Sequence, residues 1–154
     1  MNFIKIINFH KQWMNCAINQ AKIALLKNEI PIGAIIIKNN KIISKGNNQT
    51  LITNNPIGHA EIIAIQKASI IQKNYKIPNA YMYITKEPCL MCLGAIINFK
   101  IKHIIFGSYN INNEFNKNNI LHTYLLKKNI TYTGGIYKNI CDSLLKYFIK
   151  KNII

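Results

Sequence analysis

Between Phe9 and Asn28 the apolar positions Phe9, Trp13, Cys16, Ala17, Ala21, Ala24 and Leu25 recur in steps of three and four. That rhythm lines them along one face of a helix. The pattern then changes. The stretch GAIIIKNNKIISKG holds two short apolar runs parted by Asn39-Asn40, a pair that tolerates the positive φ of a tight hairpin. It predicts two antiparallel strands, with Gly33 and Gly46 at their ends. Polar, Pro and Gly content makes 47–58 a loop. A second helix is expected from His59 to about Gln72, burying Ile62, Ile63, Ile65 and Ala68. YMYIT (81–85) predicts a strand. Pro88 stands where a helix begins, and that helix runs from Cys89 to Phe99. HIIFG (103–107) and ITYT predict two more strands, and a last helix covers about 138–151. The stretch 109–129 gives no clear period.

Strands alternating with helices predict an α/β layered fold, antiparallel at the first hairpin and parallel where helices intervene. No repeat or linker interrupts it, so one domain over residues 1–154 is expected. A chain of this length can bury roughly 70% of its extended surface without staples.

Composition narrows the setting. The apolar runs are short and cut by lysine, far below the roughly 18 residues of a membrane span. The first dozen residues lack the apolar core and cleavage site of a secretory signal, so a cytoplasmic chain with reduced cysteines is expected. The net charge is +15, and all 20 basic residues are lysine. Ile, Asn and Lys are abundant and share A/T-rich codons. The charge therefore reads equally as a footprint for nucleic acid or as compositional drift. Asn116 to Asn119 reads as loop drift.

Five acidic residues and four cysteines make GHAEIIAI and EPCLMC conspicuous. Cys89 and Cys92 are three apart at a helix start, so both sulfurs share one face and the positive helix end favours thiolates. His59 opens another predicted helix. Two sulfurs and one nitrogen suit zinc, and three protein ligands leave a fourth position for a catalytic water whose pKa falls toward about 7. Glu61, two residues past the histidine, is placed to act as general acid and base.

The H-x-E and P-C-x-x-C pair is the signature of zinc nucleobase deaminases. EIPIGAIII, NPIGHAEIIAI, YITKEPCLMCLGAIINFKI and HIIFG extend the likeness over nearly the whole chain. The sequence resembles the bacterial tRNA-specific adenosine deaminases of the cytidine/deoxycytidylate deaminase superfamily. The resemblance implies a three-layer α/β/α cytidine-deaminase-like domain with a central mixed five-stranded sheet. It implies one Zn2+ per subunit held by His59, Cys89 and Cys92, with Glu61 catalytic. It implies hydrolytic conversion of adenosine to inosine at the wobble position of an arginine tRNA, the base splayed from the anticodon stem-loop. A homodimer completing its active sites across the interface also follows from it. Asn48 takes the base-contacting role, with Asn47 as competitor. Ile30 lines the base pocket, and His59 offers a ring face. Asn110 stands in the substrate site where the family usually has aspartate, and the stretch after it lacks glycine. Lys86 replaces an aliphatic residue and is read as a phosphate contact or a lysine that simply faces solvent, with the phosphate slightly favoured. Without arginine, lysine point contacts supply all positive charge, so tRNA binding is expected to weaken steeply with salt.

Other candidates receive plainer readings. Cys16, Cys141 and Trp13 are expected in the core. His10, His103 and His122 have no ligand partners at useful spacing. Glu87 is expected to cap the next helix and to orient the site, with a second zinc-site carboxylate as the alternative. Tyr81 and Tyr83 read as core or dimer interface. Lys100, Lys102, Lys127 and Lys128 form a basic rim or an ordinary solvated face. Two competing functions remain. One is a deaminase of free nucleotides or bases, of deoxycytidylate or guanine type. The other is a zinc-stabilised tRNA-binding partner without catalysis, against which Glu61 argues.

Overall fold

The computed structural model describes residues 3–110 and 120–152 of the 154. In chain order the elements are α1 (Phe3–Leu26), β1 (Gly33–Lys38), β2 (Lys41–Asn47), α2 (Ala60–Gln72), β3 (Tyr81–Lys86), α3 (Leu90–Asn98), β4 (His103–Ser108), α4 (Ile120–Lys127), β5 (Thr131–Thr133) and α5 (Lys138–Asn152). Helix α1 begins six residues before the expected Phe9, because the lysine-cut run preceding that residue continues the helix instead of ending an apolar segment. Helix α4 falls inside the stretch that showed no period.

The five strands form one sheet in the order β2-β1-β3-β4-β5. β1 is antiparallel to β2 and to β3, while β3–β4 and β4–β5 are parallel. The sheet is therefore mixed, as expected. Helices cover both faces. Ala34, Ile36, Met82, Ile84, Ile104 and Phe106 pack in the layer containing α2 and α3. Ile35, Ile37, Tyr83 and Ile105 pack in the opposite layer, against α1 and α5. Burial on both faces explains why β1 reads as an unbroken apolar run without alternation.

The hairpin turn falls where expected, with Asn39 at φ 51° and Asn40 at φ 56°. Asn28, Asn54, Asn79 and Asn129 also take positive φ. This chain uses asparagine at left-handed turn positions where glycine is the usual choice.

Two details of the sheet position the site. A Cβ on Gly46 would run into the Ala60 carbonyl, so β2 and the start of α2 touch backbone to backbone. The buried stripe of α2 accordingly consists largely of small residues, Ala60, Ala64 and Ala68. Ile62 and Ile63, expected in the core, are only half-buried because such close packing leaves no room for them. The outer edge is the other detail. β2 exposes Lys41 and Lys45, and Lys67 Nζ on α2 donates to the Lys45 carbonyl at 3.3 Å.

Candidate metal centre and active site

Two helix starts meet at the same end of the sheet. His59 is the N-cap of α2 and Cys89 the N-cap of α3, both in extended backbone (φ −74°, ψ 150° and φ −72°, ψ 169°). Each gives its carbonyl to the first turn, accepting from Ile63 N–H at 3.0 Å and Leu93 N–H at 2.9 Å. Neither side chain caps its own helix. Both are thus free to turn toward a common point. Cys92, one turn into α3, is fully buried and joins them. His59 Nδ1 lies 3.7 Å from Cys89 Sγ and 3.4 Å from Cys92 Sγ. All three ligand atoms fall within 4.8 Å of one another, the metal-ligating group found among the described residues.

These separations fit an ion. Tetrahedral zinc with bonds of about 2.3 Å to sulfur and about 2.0 Å to nitrogen sets sulfur and nitrogen about 3.6 Å apart. Two thiolates and an imidazole form a soft donor set, matched to zinc and short of one ligand. The thiols already behave unequally. A hydrogen bond from the Cys92 thiol, with smaller help from the Cys92 backbone and the His59 ring and against the opposing effect of burial, brings the Cys89 pKa down to about 5. Cys92, as the donor of that pair and deeply buried, is raised. A bound cation holds both as thiolates.

Glu61 sits in the first turn of α2 and is buried. Burial is the largest influence on its carboxyl and pushes the pKa from 4.5 up to about 7. Its own backbone N–H, the His59 ring and the Cys92 thiol pull the other way, and Cys89 adds a smaller upward push. A carboxyl poised near neutrality beside a three-ligand metal site can both accept and return a proton.

The sequence model of the cytidine and deoxycytidylate deaminase zinc-binding region matches residues 7–108 of this chain. The chain belongs to this deaminase family. Among its relatives is the tRNA-specific adenosine deaminase of Buchnera aphidicola subsp. Baizongia pistaciae, 37% identical over 151 residues, covering 92% of this chain and 88% of that one. A solved tRNA:A34 deaminase, described for A-to-I editing at the wobble position of transfer RNA, superposes with a TM-score of 0.77. It is 26% identical and covers 87% of this chain and 99% of its own. The Bacillus subtilis guanine deaminase superposes with a TM-score of 0.61 at 32% identity, over 71% of this chain and 66% of its own. Together with the observed layers, these neighbours bear out the expected three-layer cytidine-deaminase-like fold.

The other residues expected at the site are placed by longer-range contacts. Asn48 follows β2 and is buried, its N–H bonded to Ile32 O at 3.1 Å. The next residue, Gln49, donates its N–H to Gly58 O at 2.8 Å, tying the Asn48 segment to the residue before His59. Asn47, its competitor, turns toward α1 and gives its amide to Gln20 Oε1. Ile30 lies on the same 29–32 segment as the Asn48 partner and is partly exposed.

Glu29 was not singled out from the sequence as a site residue, yet it organises this corner. It is completely buried. One carboxylate oxygen accepts from Asn48 Nδ2 at 3.1 Å and the other from Ile52 N–H at 2.8 Å. It takes part in no ion pair among the described residues. A buried carboxylate satisfied only by two donors holds Asn48 and the 49–58 loop together. Its one sequence signal is scarcity, as one of only five acidic residues. Glu29→Gln sets an amide N–H against one of those donors. The expected cost is about 1–3 kcal/mol of stability, read by urea denaturation, with zinc content unchanged.

Glu87 departs from its expected capping role. Its carboxylate accepts from Asn110 N–H at 2.8 Å and from the Tyr132 hydroxyl at 3.1 Å, not from the start of α3. It is not part of the metal-ligating group either. From two residues upstream of Cys89 it therefore fixes Asn110, two residues past the end of β4. The segment 111–119 beyond Asn110, and the side chain of His122, lie outside the described residues. The plainer readings hold elsewhere. Cys141 is buried, with Trp13 and Cys16 packed against the same cluster. His10 Nδ1 bonds the buried Tyr83 hydroxyl at 2.9 Å, and His103 stacks on Tyr81 at 4.1 Å.

Proposed function

We propose that this chain deaminates adenosine to inosine at the wobble position of tRNA, with the anticodon stem-loop of an arginine tRNA as substrate. The observation that carries the reading is the triangle of His59, Cys89 and Cys92 with a buried, near-neutral carboxyl beside it. The likeness to tRNA-specific adenosine deaminases supports the choice of substrate.

His59, Cys89 and Cys92 would hold one zinc ion per subunit. Zinc, when bound, supplies a Lewis acid that lowers the pKa of a water toward about 7. Glu61 takes that water's proton as carbon 6 of the adenine is attacked. It gives that proton to ring nitrogen 1, then takes the proton of the new hydroxyl on carbon 6 and passes it to the departing amine, so that ammonia leaves and inosine remains. Asn48, fixed by Glu29, contacts the base; Ile30 and the His59 ring border its pocket, and Asn110 borders the neighbouring substrate. The base must be extruded from its stack to reach this depth.

The active unit in this reading is a homodimer. Leu51, Ile52 and Ile57 on the loop before α2, and Leu90 and Met91 at the start of α3, are exposed apolar side chains on the two segments that carry His59, Cys89 and Cys92. Exposed apolar side chains on these segments fit burial against a second copy. A fully active monomer in sedimentation would count against it. A tRNA substrate also places the protein in the cytoplasm.

The test is incubation of the pure protein with an arginine tRNA anticodon stem-loop, with and without chelator. Inosine is read by sequencing, and deoxycytidylate and guanine are assayed in parallel. Inosine in the RNA, lost on chelation and restored by zinc, is the expected result. Turnover of the free nucleotide or base alone would establish the guanine- or deoxycytidylate-type reading instead.

A further inference from the structure

Strands β3, β4 and β5 run parallel, so the loops that enter them meet at the end of the sheet away from the metal ligands. These loops, 73–80, 99–102 and 128–130, are tied to one another. Ile77 N–H bonds Phe99 O at 2.7 Å, Lys102 N–H bonds Ala80 O at 3.4 Å, and Thr131 N–H bonds Lys102 O at 2.8 Å. Lys102 Nζ also donates to Lys128 O at 2.6 Å, which fixes the third loop to the second. The joined surface exposes Lys73, Lys76, Lys100, Lys127 and Lys128, and no Asp or Glu occurs within 73–80, 99–102 or 127–131. The described acidic residues lie elsewhere. Glu29, Glu61 and Glu87 are buried, and Asp142 is paired with Lys138. Two exposed rings stand in this basic face. Lys76 Nζ lies 5.1 Å from the centre of the Tyr75 ring, and Lys128 Nζ 5.6 Å from that of Tyr124. Backbone geometry separates the face from lysine accumulated by drift. Lys73 and Lys100, just past the ends of α2 and α3, hold left-handed backbone at φ 48° and 62°. Asparagine suits that conformation better, and it is what stands just past the ends of α1 and α4, at Asn28 and Asn129. A/T-rich codons supply asparagine as readily as lysine, so drift gives no reason for lysine at both of these positions.

We propose that this face is a second RNA-binding surface, separate from the reaction centre, with its lysines on the phosphates and Tyr75 and Tyr124 against the bases. The choice of RNA as the polyanion rests on the tRNA reading above. The six residues of β3, at about 3.3 Å each, set the face roughly 20 Å from the metal end of the sheet. It therefore holds a stretch of RNA other than the one that enters the metal site. The chemistry selects such a ligand. Ammonium groups beside exposed aromatic rings match a chain that alternates phosphates with flat bases. Protein interfaces, in contrast, are depleted of lysine. Lysine contacts are point charges, each contributing separately to the salt dependence.

The experiment compares the full-length protein with a triple variant carrying one change per loop, Lys76→Ala, Lys100→Asn and Lys128→Ala. Asparagine at position 100 keeps the left-handed backbone unstrained. A control of equal charge loss carries Lys22→Ala, Lys27→Ala and Lys150→Ala, all at exposed positions on or beside α1 and α5. Fluorescence anisotropy follows a labelled single-stranded RNA of uridines and cytidines, which has no adenosine to react, over a potassium chloride series. Inosine formation in an anticodon stem-loop is measured on the parent alongside. The slope of log Kd against log salt should flatten by about 0.7 for each lysine removed, about 2 in the triple variant, with Kd up about tenfold or more at low salt. The control should keep the parent's slope. Each single variant should give about a third of the flattening, which decides the matter should the triple variant unfold. No RNA binding by the parent, or equal flattening in the triple variant and the control, would overturn the proposal. So would tighter binding of a labelled oligoglutamate, or of phosphatidylserine vesicles, than of RNA through the same lysines. A parent that makes no inosine while the three lysines set the RNA salt slope would overturn the reaction and leave this face standing.

Discussion

Glu61→Ala lowers kcat by about three orders of magnitude while the protein keeps its zinc. That is the largest effect expected of any single change outside the ligands, equivalent to about 4 kcal/mol of transition-state stabilisation. The reason is positional. Glu61 is buried beside the ligand triangle but is not one of its members. Its loss removes a proton carrier without removing a donor atom. Zinc by elemental analysis and inosine by sequencing separate the two roles, and a variant that still deaminates would remove Glu61 from the mechanism. The carboxyl also sets a pH limb. Its pKa is raised from 4.5 to about 7, so the protonated form, which cannot accept the water's proton, accumulates as pH falls. Bound zinc favours the carboxylate and draws the limb downward. The kcat/KM profile should therefore lose activity on the acid side with a midpoint above 4.5 and no higher than about 7. Glu61→Ala should abolish that limb.

The second large effect is on the metal itself. Cys92→Ala leaves His59 and Cys89 as a two-ligand remnant, and zinc should fall well below one per chain with activity at background. Stability supplies an independent readout. A ligand that binds only the folded state stabilises it by about 2.7 kcal/mol at a hundredfold excess over Kd, or roughly 5–10 °C in Tm for a domain of this size. Added zinc should raise the Tm of the chelated parent by that order and leave Cys92→Ala unmoved. A variant still retaining one tightly held zinc would show that Cys92 is not a ligand.

The cluster of His59, Cys89 and Cys92 was legible because its signal is local. His59 and Glu61 are two apart, Cys89 and Cys92 are three apart, and each pair opens a helix whose apolar spacing is plain. The antiparallel hairpin was legible for the same reason, since Asn39-Asn40 encodes its own turn. What was hidden depends on distance along the chain. Glu29 reaches Asn48 across 19 residues and Ile52 across 23. Glu87 reaches Tyr132 across 45. No periodicity records such partners, and a lone glutamate before a helix looks like a cap whichever way its side chain turns. Helix α2 misled through size. Its isoleucines looked like the buried stripe, but the backbone contact at Gly46 admits mainly alanines there.

The guarded borders of the sheet limit how two copies can associate. On one side β2 points lysines outward and has a carbonyl occupied by Lys67. On the other, β5 is only three residues long. Lysine-bearing and very short edges disfavour edge-to-edge pairing, so a continuous ten-stranded sheet is not the expected association of this molecule. Pairing is expected through helices and loops instead. Among the exposed apolar side chains, Ile57, Leu90 and Met91 stand within two residues of His59, Cys89 or Cys92, so a pairing through them would also set access to that centre.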